Sequence, residues 1–212
     1  MDDQFQQKLI DARRQIILDA AIDVIVEQGF QRTTIKQIAR KAGVADGTIY
    51  NYFKNKDAIL FAIVERLTEA ELRELHFGEA QQIPYDTFVE AYIAHRMNEV
   101  AEQFDAMKIV FAETIVNATL QQRVNDQIYA PAFEVAERYF QHLMAEGVIG
   151  EGDPQLMTRL FAALPLGVTL LRMLGDQHVR DNWADYSAAI ATLLSNAESL
   201  TGANHDQANE SH

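Results

Sequence analysis

Cysteine is absent from the 212 residues. Disulfides, thiolate nucleophiles and cysteine-based metal sites are therefore excluded, and the composition is compatible with a reducing compartment. No stretch shows the apolar–polar alternation of a strand, and there is neither an internal repeat nor a low-complexity tract. A phosphate-binding loop, a glycine-rich dinucleotide turn and a G-x-S-x-G element are all missing. The opening residues MDDQFQQK are acidic and polar and lack an apolar h-region, so a signal peptide is not expected. The uncharged run Leu160–Leu171, between Arg159 and Arg172, falls short of the roughly 20 residues that span a bilayer, so a membrane is not an expected partner. His95 with Glu99, and His142 with Glu146, stand at i, i+4, a spacing able to hold a metal. Each pair is isolated and reads as a surface ion pair, so neither metal nor cofactor is expected. No carboxylate pair stands out as an acid–base dyad among 31 acids scattered over helices.

Basic residues are also scarce, 18 against 31 acids, for a formal net charge of −13. Their distribution matters more than the total. Residues 1–60 hold nine Lys/Arg and eight Asp/Glu, whereas the rest holds nine and 23. Between Gly29 and Lys56 there are six cations, Arg32, Lys36, Arg40, Lys41, Lys54 and Lys56, against the single acid Asp46. A local positive footprint on an acidic body suits contact with phosphates.

The same stretch reads as two short helices joined by a tight turn. Thr34 and Gln37 form a capping-box pair, and Ile35, Ile38 and Ala39 share one helical face. Arg40-Lys41 followed by Gly43 is a stop signal. Val44 re-enters the core, and a second helix is expected from about Ala45 to Phe53 with Ile49 and Phe53 inward. Gly47, Thr48, Tyr50, Asn51 and Tyr52 are left on other faces. This pattern is a helix-turn-helix, whose second helix enters the major groove of DNA. The glycine would let the backbone come close, while the hydroxyls and the amide supply donors and acceptors for phosphates and bases.

The stretch from Gly29 to Leu60, GFQRTTIKQIARKAGVADGTIYNYFKNKDAIL, resembles the TetR-type bacterial transcriptional regulators over roughly 50 residues. The glycine–aromatic pair, the double threonine, IxxIAxxAGV, GTIYxYF and KxK carry the resemblance. It implies that Thr33, Thr34, Tyr52, Lys54 and Lys56 hold phosphates, with Lys36 also in the DNA-binding set, and that Gly47, Thr48, Tyr50 and Asn51 approach bases. One departure is Ala45-Asp46 where the family often carries Ser-Lys. A carboxylate there suits the helix dipole but holds no phosphate.

The expected architecture is all-α with about nine helices. Residues 1–55 form the DNA-binding domain, 56–200 a regulatory and dimerisation domain, and 201–212 a polar tail expected to be disordered. The first helix is expected from about Lys8 to Gln28 after a frayed start. Ile17, Ala20, Ala21, Val24 and Ile25 form its buried stripe. A fourth helix from about Asn55 to Phe77, with Ile59, Leu60, Ile63, Leu67, Ala70 and Leu75 as its stripe, would touch both domains and could carry a ligand signal. Gly78–Ile83 reads as a linker and Pro84 opens a fifth helix to about Glu102. Others follow at about Asp105–Asn117 and Leu120–Glu146, the latter kinked at Pro131. After EGVIGEGDP, Asp153 caps an eighth helix running to about Leu174, and a ninth covers about Asp181–Leu200.

The eighth helix is apolar nearly all round. With the ninth it is read as a two-fold dimer interface built from Leu166, Leu170, Trp183, Tyr186, Ile190, Leu193 and Leu194. Phe88, Tyr92, His95, Arg96, Met107, Phe111, Thr114, Asn117, Phe133 and Met173 are candidates for a ligand chamber. His95, Arg96 and Asn117 would meet the ligand's polar end. The same residues suit any helical core. The resemblance implies a homodimeric repressor that binds a palindromic operator and is released by a small, largely apolar effector. Two alternatives stay open: an all-helical enzyme or small-molecule carrier, and an architectural DNA-binding protein without a ligand.

Overall fold

A computed structural model describes residues 2–68, 73–80 and 82–196 of the chain, with side chains except those of 2, 3, 73–75 and 79. Ala70 and the side chain of Leu75, placed above on an apolar stripe, and the tail 201–212 lie outside what is described. All regular structure among the described residues is helical, as expected, but it is divided more finely. Twelve α-helices follow in order: α1 Asp2–Gln28, α2 Ile35–Ala42, α3 Asp46–Ile49, α4 Lys56–Leu67, α5 Arg73–Ala80, α6 Tyr85–Glu102, α7 Phe104–Val116, α8 Ala118–Val124, α9 Ala130–Ala145, α10 Pro154–Met173, α11 Gln177–Asp181 and α12 Trp183–Ser195. A π-helical turn, Asn125–Tyr129, separates α8 from α9.

Several boundaries differ from expectation for identifiable reasons. The first helix begins at Asp2 rather than near Lys8. Carboxylates in its first turn and the glutamines that follow favour helix there. The single long fourth helix is replaced by α4, which ends at Leu67 with Thr68 as its cap, and the separate α5. Gly78, placed in a linker, lies within α5. Asn117 starts a new helix, because its side chain accepts from the Leu120 amide at 3.0 Å. Pro131 does not kink a continuous helix. It sits at the start of α9, where a missing amide is tolerated, directly after the π turn.

The helices form two compact units. The first comprises Met1–Ala70 and Gln103–Ile128, the second Glu71–Glu102 and Tyr129–His212. The boundary placed after residue 55 marks the end of the helix-turn-helix motif, whereas the packing groups α4, α7 and α8 with it. In the first unit the expected α1 stripe is buried, from Ile17 to Ile25, and meets Ile38, Ala39, Ile59 and Ile63 in the core. α7 packs on α1 and α4, and α8 packs on α4 and α7. The Arg123 guanidinium lies 3.5 Å from the Phe61 ring centroid.

In the second unit α6 packs along α12, and α9 along α10. At its centre Phe77, Phe88, Tyr92, Tyr139, Phe140 and Phe161 form a chain of ring contacts with centroids 5.2–5.7 Å apart. The Tyr85 hydroxyl donates to the Leu194 carbonyl at 3.1 Å, and Trp183 Nε1 donates to the Met97 carbonyl at 2.9 Å.

Helix α10 is long and apolar enough to cross a bilayer by length and composition alone, once Arg159 is counted within it. Only 22% of its most apolar window is buried. Leu156, Leu160, Leu164 and Leu171 lie exposed along one face, continued by Leu170 and Leu174. Their positions cluster within about half a turn at 3.6 residues per turn, opposite buried Met157, Phe161 and Thr169.

Burial pushes the Tyr85 phenol up from 10.0 to about 12. It pushes Tyr139 up as well, with a smaller push from Tyr85 beside it. Two of the seven tyrosines should therefore ionise last in an alkaline absorbance titration. Because the folded chain holds these protons more tightly than the unfolded one, their contribution is complete below pH 10.0 and is lost as pH rises through about 12. Denaturant midpoints measured at pH 9, 10 and 11 should fall only above pH 10. The Tyr85→Phe, Tyr139→Phe double variant should flatten that fall.

Candidate nucleic-acid interface

The motif is built by caps and buried anchors. Gly29 ends α1 with φ 82°, its amide donating to the Ile25 carbonyl at 2.8 Å. Thr34 then opens α2 with both halves of the capping box in place. Its oxygen accepts from the Gln37 amide, and Gln37 Oε1 accepts from the Thr34 amide at 2.8 Å. Gly43 closes α2 at φ 67°, and Val44 donates back to the Ala39 carbonyl at 3.0 Å, a Schellman closure. The turn re-aims the chain into α3, which is anchored by Ile49, fully buried, and by Phe53. The second helix is shorter than the expected Ala45–Phe53. Regular α geometry covers only Asp46–Ile49, and three-residue bonds such as Tyr52 N–H to the Ile49 carbonyl at 3.0 Å carry the chain to Phe53.

The anchoring decides what faces outward. Tyr50 is 58% exposed, Asn51 is exposed, and Thr48 and Tyr52 are half-buried. Gly47 is exposed, and a Cβ built on it would meet no atom of the protein within 4 Å. Packing therefore does not require glycine at that position. Lys36 and Lys54 are exposed, as is Arg40, which was outside the expected set and follows Lys36 at i, i+4 on α2.

Three of the expected residues are committed to the fold. Thr33 is buried, and its hydroxyl donates to the Gly29 carbonyl at 2.9 Å. The Thr34 hydroxyl is occupied by the capping box. Lys56 turns inward, donating to the Phe30 and Gln31 carbonyls at 2.9 and 3.3 Å with Nζ 4.3 Å from the Phe30 ring centroid. Its ammonium bonds carbonyls of the turn between α1 and α2 and is not presented outward. Of the other cations, Lys41 is held by Asp23 at 3.3 Å and Glu27 at 3.4 Å. These carboxylates, Asp23 first, raise its pKa. Arg32 Nε donates to the Gln28 carbonyl at 2.8 Å. The outward positive footprint is therefore carried by Lys36, Arg40 and Lys54, with the guanidinium of Arg32 exposed beside them.

The ligand candidates divide between the two units. Met107, Phe111, Thr114 and Asn117 belong to the first unit, where Thr114 bonds its own helix at the Val110 carbonyl and Asn117 is a cap. Phe88, Tyr92, His95, Arg96, Phe133 and Met173 belong to the second. There Phe88, Tyr92 and His95 line a groove of about 200 Å³ together with His76, which the sequence pattern did not single out. Among the described residues no group of three or more metal-ligating side chains occurs. Of the interface candidates, Leu166, Leu170 and Leu193 are exposed, and Trp183 and Tyr186 are half-buried against the core. Ile190 and Leu194 are core residues facing α6, so α12 turns much of the expected interface inward. The exposed α10 leucines at 156, 160, 164 and 171 were not among the expected interface residues.

Residues 17–63 match the family profile of bacterial regulatory proteins, tetR family. The chain is 55% identical over 47 residues to a fatty acid metabolism regulator protein of Bacillus subtilis (strain 168). The match spans 22% of this chain and about a quarter, 24%, of that protein's length. The fold is similar to the transcriptional regulator FadR from Bacillus subtilis in complex with stearoyl-CoA, at TM-score 0.72 and 26% identity over 86% of this chain and 97% of that one. It is also similar to SmeT in its triclosan complex, at TM-score 0.68 and 27% identity over 88% and 90%. With the capped helix-turn-helix, the all-helical remainder and these likenesses together, residues 17–63 form a regulatory domain of the tetR family, and the chain as a whole shares the fold of such regulators.

Proposed function

We propose that the chain is a ligand-responsive transcriptional regulator, a homodimeric repressor that reads a palindromic operator through the major groove and is released by a small, largely apolar effector. The observation that carries this reading is the outward face of the α3 turn. Thr48, Tyr50 and Asn51 flank a glycine whose side chain the fold does not exclude, between the exposed cations Lys36, Arg40 and Lys54. Gly47, Thr48, Tyr50 and Asn51 approach base edges, and Lys36, Arg40, Tyr52 and Lys54 hold phosphates. Thr33, Thr34 and Lys56 build the reading surface without touching DNA through their side chains. In this assignment residues 1–55 form the DNA-reading segment and 56–200 its regulatory support.

One such segment reads only a few bases, so two related by a dyad are needed, with half-sites about 34–36 Å apart or a multiple of that. The exposed leucine face of α10 supplies the isologous contact, with Leu166, Leu170 and Leu193 at its edges. A second copy, rather than lipid, is its proposed cover. Gly167 lies on the same face and permits close helix crossing. The chemistry of the relatives' complexes, an acyl thioester and a chlorinated aromatic, supports an apolar effector bound by the helical body. Release requires the effector to prefer the non-binding state, with a coupling of typically about 1–3 kcal/mol. Within the first unit, α7 is tied to the turn before α2 by Gln31 Nε2 donating to Glu113 Oε2 at 2.8 Å, so displacement of α7 reaches the reading surface directly. The protein is read as cytoplasmic and as performing no catalysis.

Selection of bound duplexes from a random pool should return an inverted repeat. A pool that yields no motif would sink the operator reading. Lys54→Ala should weaken every duplex alike and lower the slope of log affinity against log salt by about 0.9 for each phosphate that a protomer no longer neutralises. Asn51→Ala should instead relax preference at particular base pairs, by about 1–3 kcal/mol each. Lys56→Ala should lower the unfolding free energy by about 1 kcal/mol in denaturant titrations, because it removes the bonds to the Phe30 and Gln31 carbonyls and leaves the Phe30 carbonyl with the Thr33 amide alone. For the dyad, Leu164→Arg should convert the sedimenting species from dimer to monomer with the helical circular dichroism retained. A monomeric parent protein would refute the interface.

A further inference from the structure

The groove between α5 and α6 differs in chemistry from the rest of this acidic chain. Its described lining is largely apolar, with Ala80, Ile83, Phe88, Ala91 and the ring of Tyr92, joined by two imidazoles, His76 and His95. None of the described lining residues is acidic, although acids outnumber Lys and Arg by 31 to 18 overall. The His76 and His95 ring centroids are 5.7 Å apart with planes at 80°, and His76 meets Tyr92 edge-on at 6.2 Å. Phe88 and Tyr92 lie 5.4 Å apart at 34°, so together they offer an aromatic wall.

Size and polarity then restrict the occupant. A volume of about 200 Å³ exceeds the roughly 150 Å³ cavity known to accept benzene, yet it lies below the roughly 300–1,000 Å³ of pockets for drug-sized ligands. One compact aromatic ring system fits, and a long acyl chain is not enclosed. An imidazole always offers at least one N–H donor, so two side by side with ring centroids 5.7 Å apart suit a single carboxylate.

We propose that this groove binds a compact aromatic carboxylate, with its ring against Phe88 and Tyr92 and its carboxylate held between His76 and His95. The proposal deepens the effector half of the function above and rests on that reading only for the consequence at DNA. Binding itself is tested on the full chain without DNA, by calorimetry with 2-naphthoate and its neutral analogue 2-naphthalenemethanol. The parent protein should bind the acid at least about 10-fold more tightly than the alcohol. His76→Gln and His95→Gln should each remove most of that preference and leave the alcohol within about 2-fold, whereas Tyr92→Ala should weaken both ligands. Ala91→Glu, at an exposed groove position, should repel the acid selectively. This variant keeps the test decisive if a histidine variant folds poorly. Equal affinity for acid and alcohol, no binding of either, or a preference that survives both histidine substitutions overturns the proposal. Naphthoate that binds with this signature but leaves operator affinity unchanged overturns the groove's role as effector site alone.

Discussion

The burial of Ile49 is the constraint on which the proposed reading surface depends. A helix of four residues has no stability of its own, because nucleation is unfavourable and so few bonds are formed. α3 exists because Ile49 is fully buried, Phe53 is nearly so, and Gly43 aims the chain toward them with a left-handed turn. Once Ile49 points inward, a rotation of about 100° per residue sends Asn51 to the far side and presents Tyr50 and Thr48 on the two flanks. The same anchoring explains why Lys56 is taken into the fold. The turn between α1 and α2 points the Phe30 and Gln31 carbonyls at the start of α4, and the ammonium arriving there bonds both.

Local chemistry was legible in the sequence wherever one residue sets the backbone. The Thr34–Gln37 box, the Gly43 stop, the Asn55 cap and the Asp153-Pro154 start all occur where their side chains demand them. Less legible was which of two roles a polar side chain takes. Thr33 and Lys56 match a phosphate-binding pattern, yet their donors are consumed by carbonyls brought near only by the folded turn. Asn117 looked like a polar group in an apolar run and is a helix cap, because a helix ends at Val116 and needs one. His76 could not be linked to His95 from spacing, since the two come from different helices.

The chain crosses between its two units at 70/71, 102/103 and 128/129. The last crossing falls inside the π-helical turn, immediately before Pro131. A π turn carries one extra residue per turn relative to its neighbours, and its hydrogen bonds reset readily to α geometry. A periodicity search expects one helix from Leu120 to Glu146 because both flanks keep the helical apolar rhythm. The register slip is invisible unless the geometry is seen. On its N-terminal side α8 packs against α4 and α7.

The charge distribution bears on how the proposed complex would divide affinity from specificity. Six cations in the motif suggest strong phosphate attraction, but Lys41, Lys56 and Arg32 are each held by acceptors within the protein. With Arg32 still exposed beside Lys36, Arg40 and Lys54, four outward cations per protomer make about eight in a dimer, within the range of phosphate contacts typical of such proteins. The remaining residues of the acidic body, with 23 acids against nine bases beyond position 60, oppose any duplex that does not seat the motif. Uniform attraction opposed by a repelling body leaves the uncharged groups, Thr48, Tyr50 and Asn51, with a larger share of the binding free energy. A duplex that cannot satisfy them has little else to hold it. A body that would weaken a non-specific binder therefore sharpens discrimination in this one.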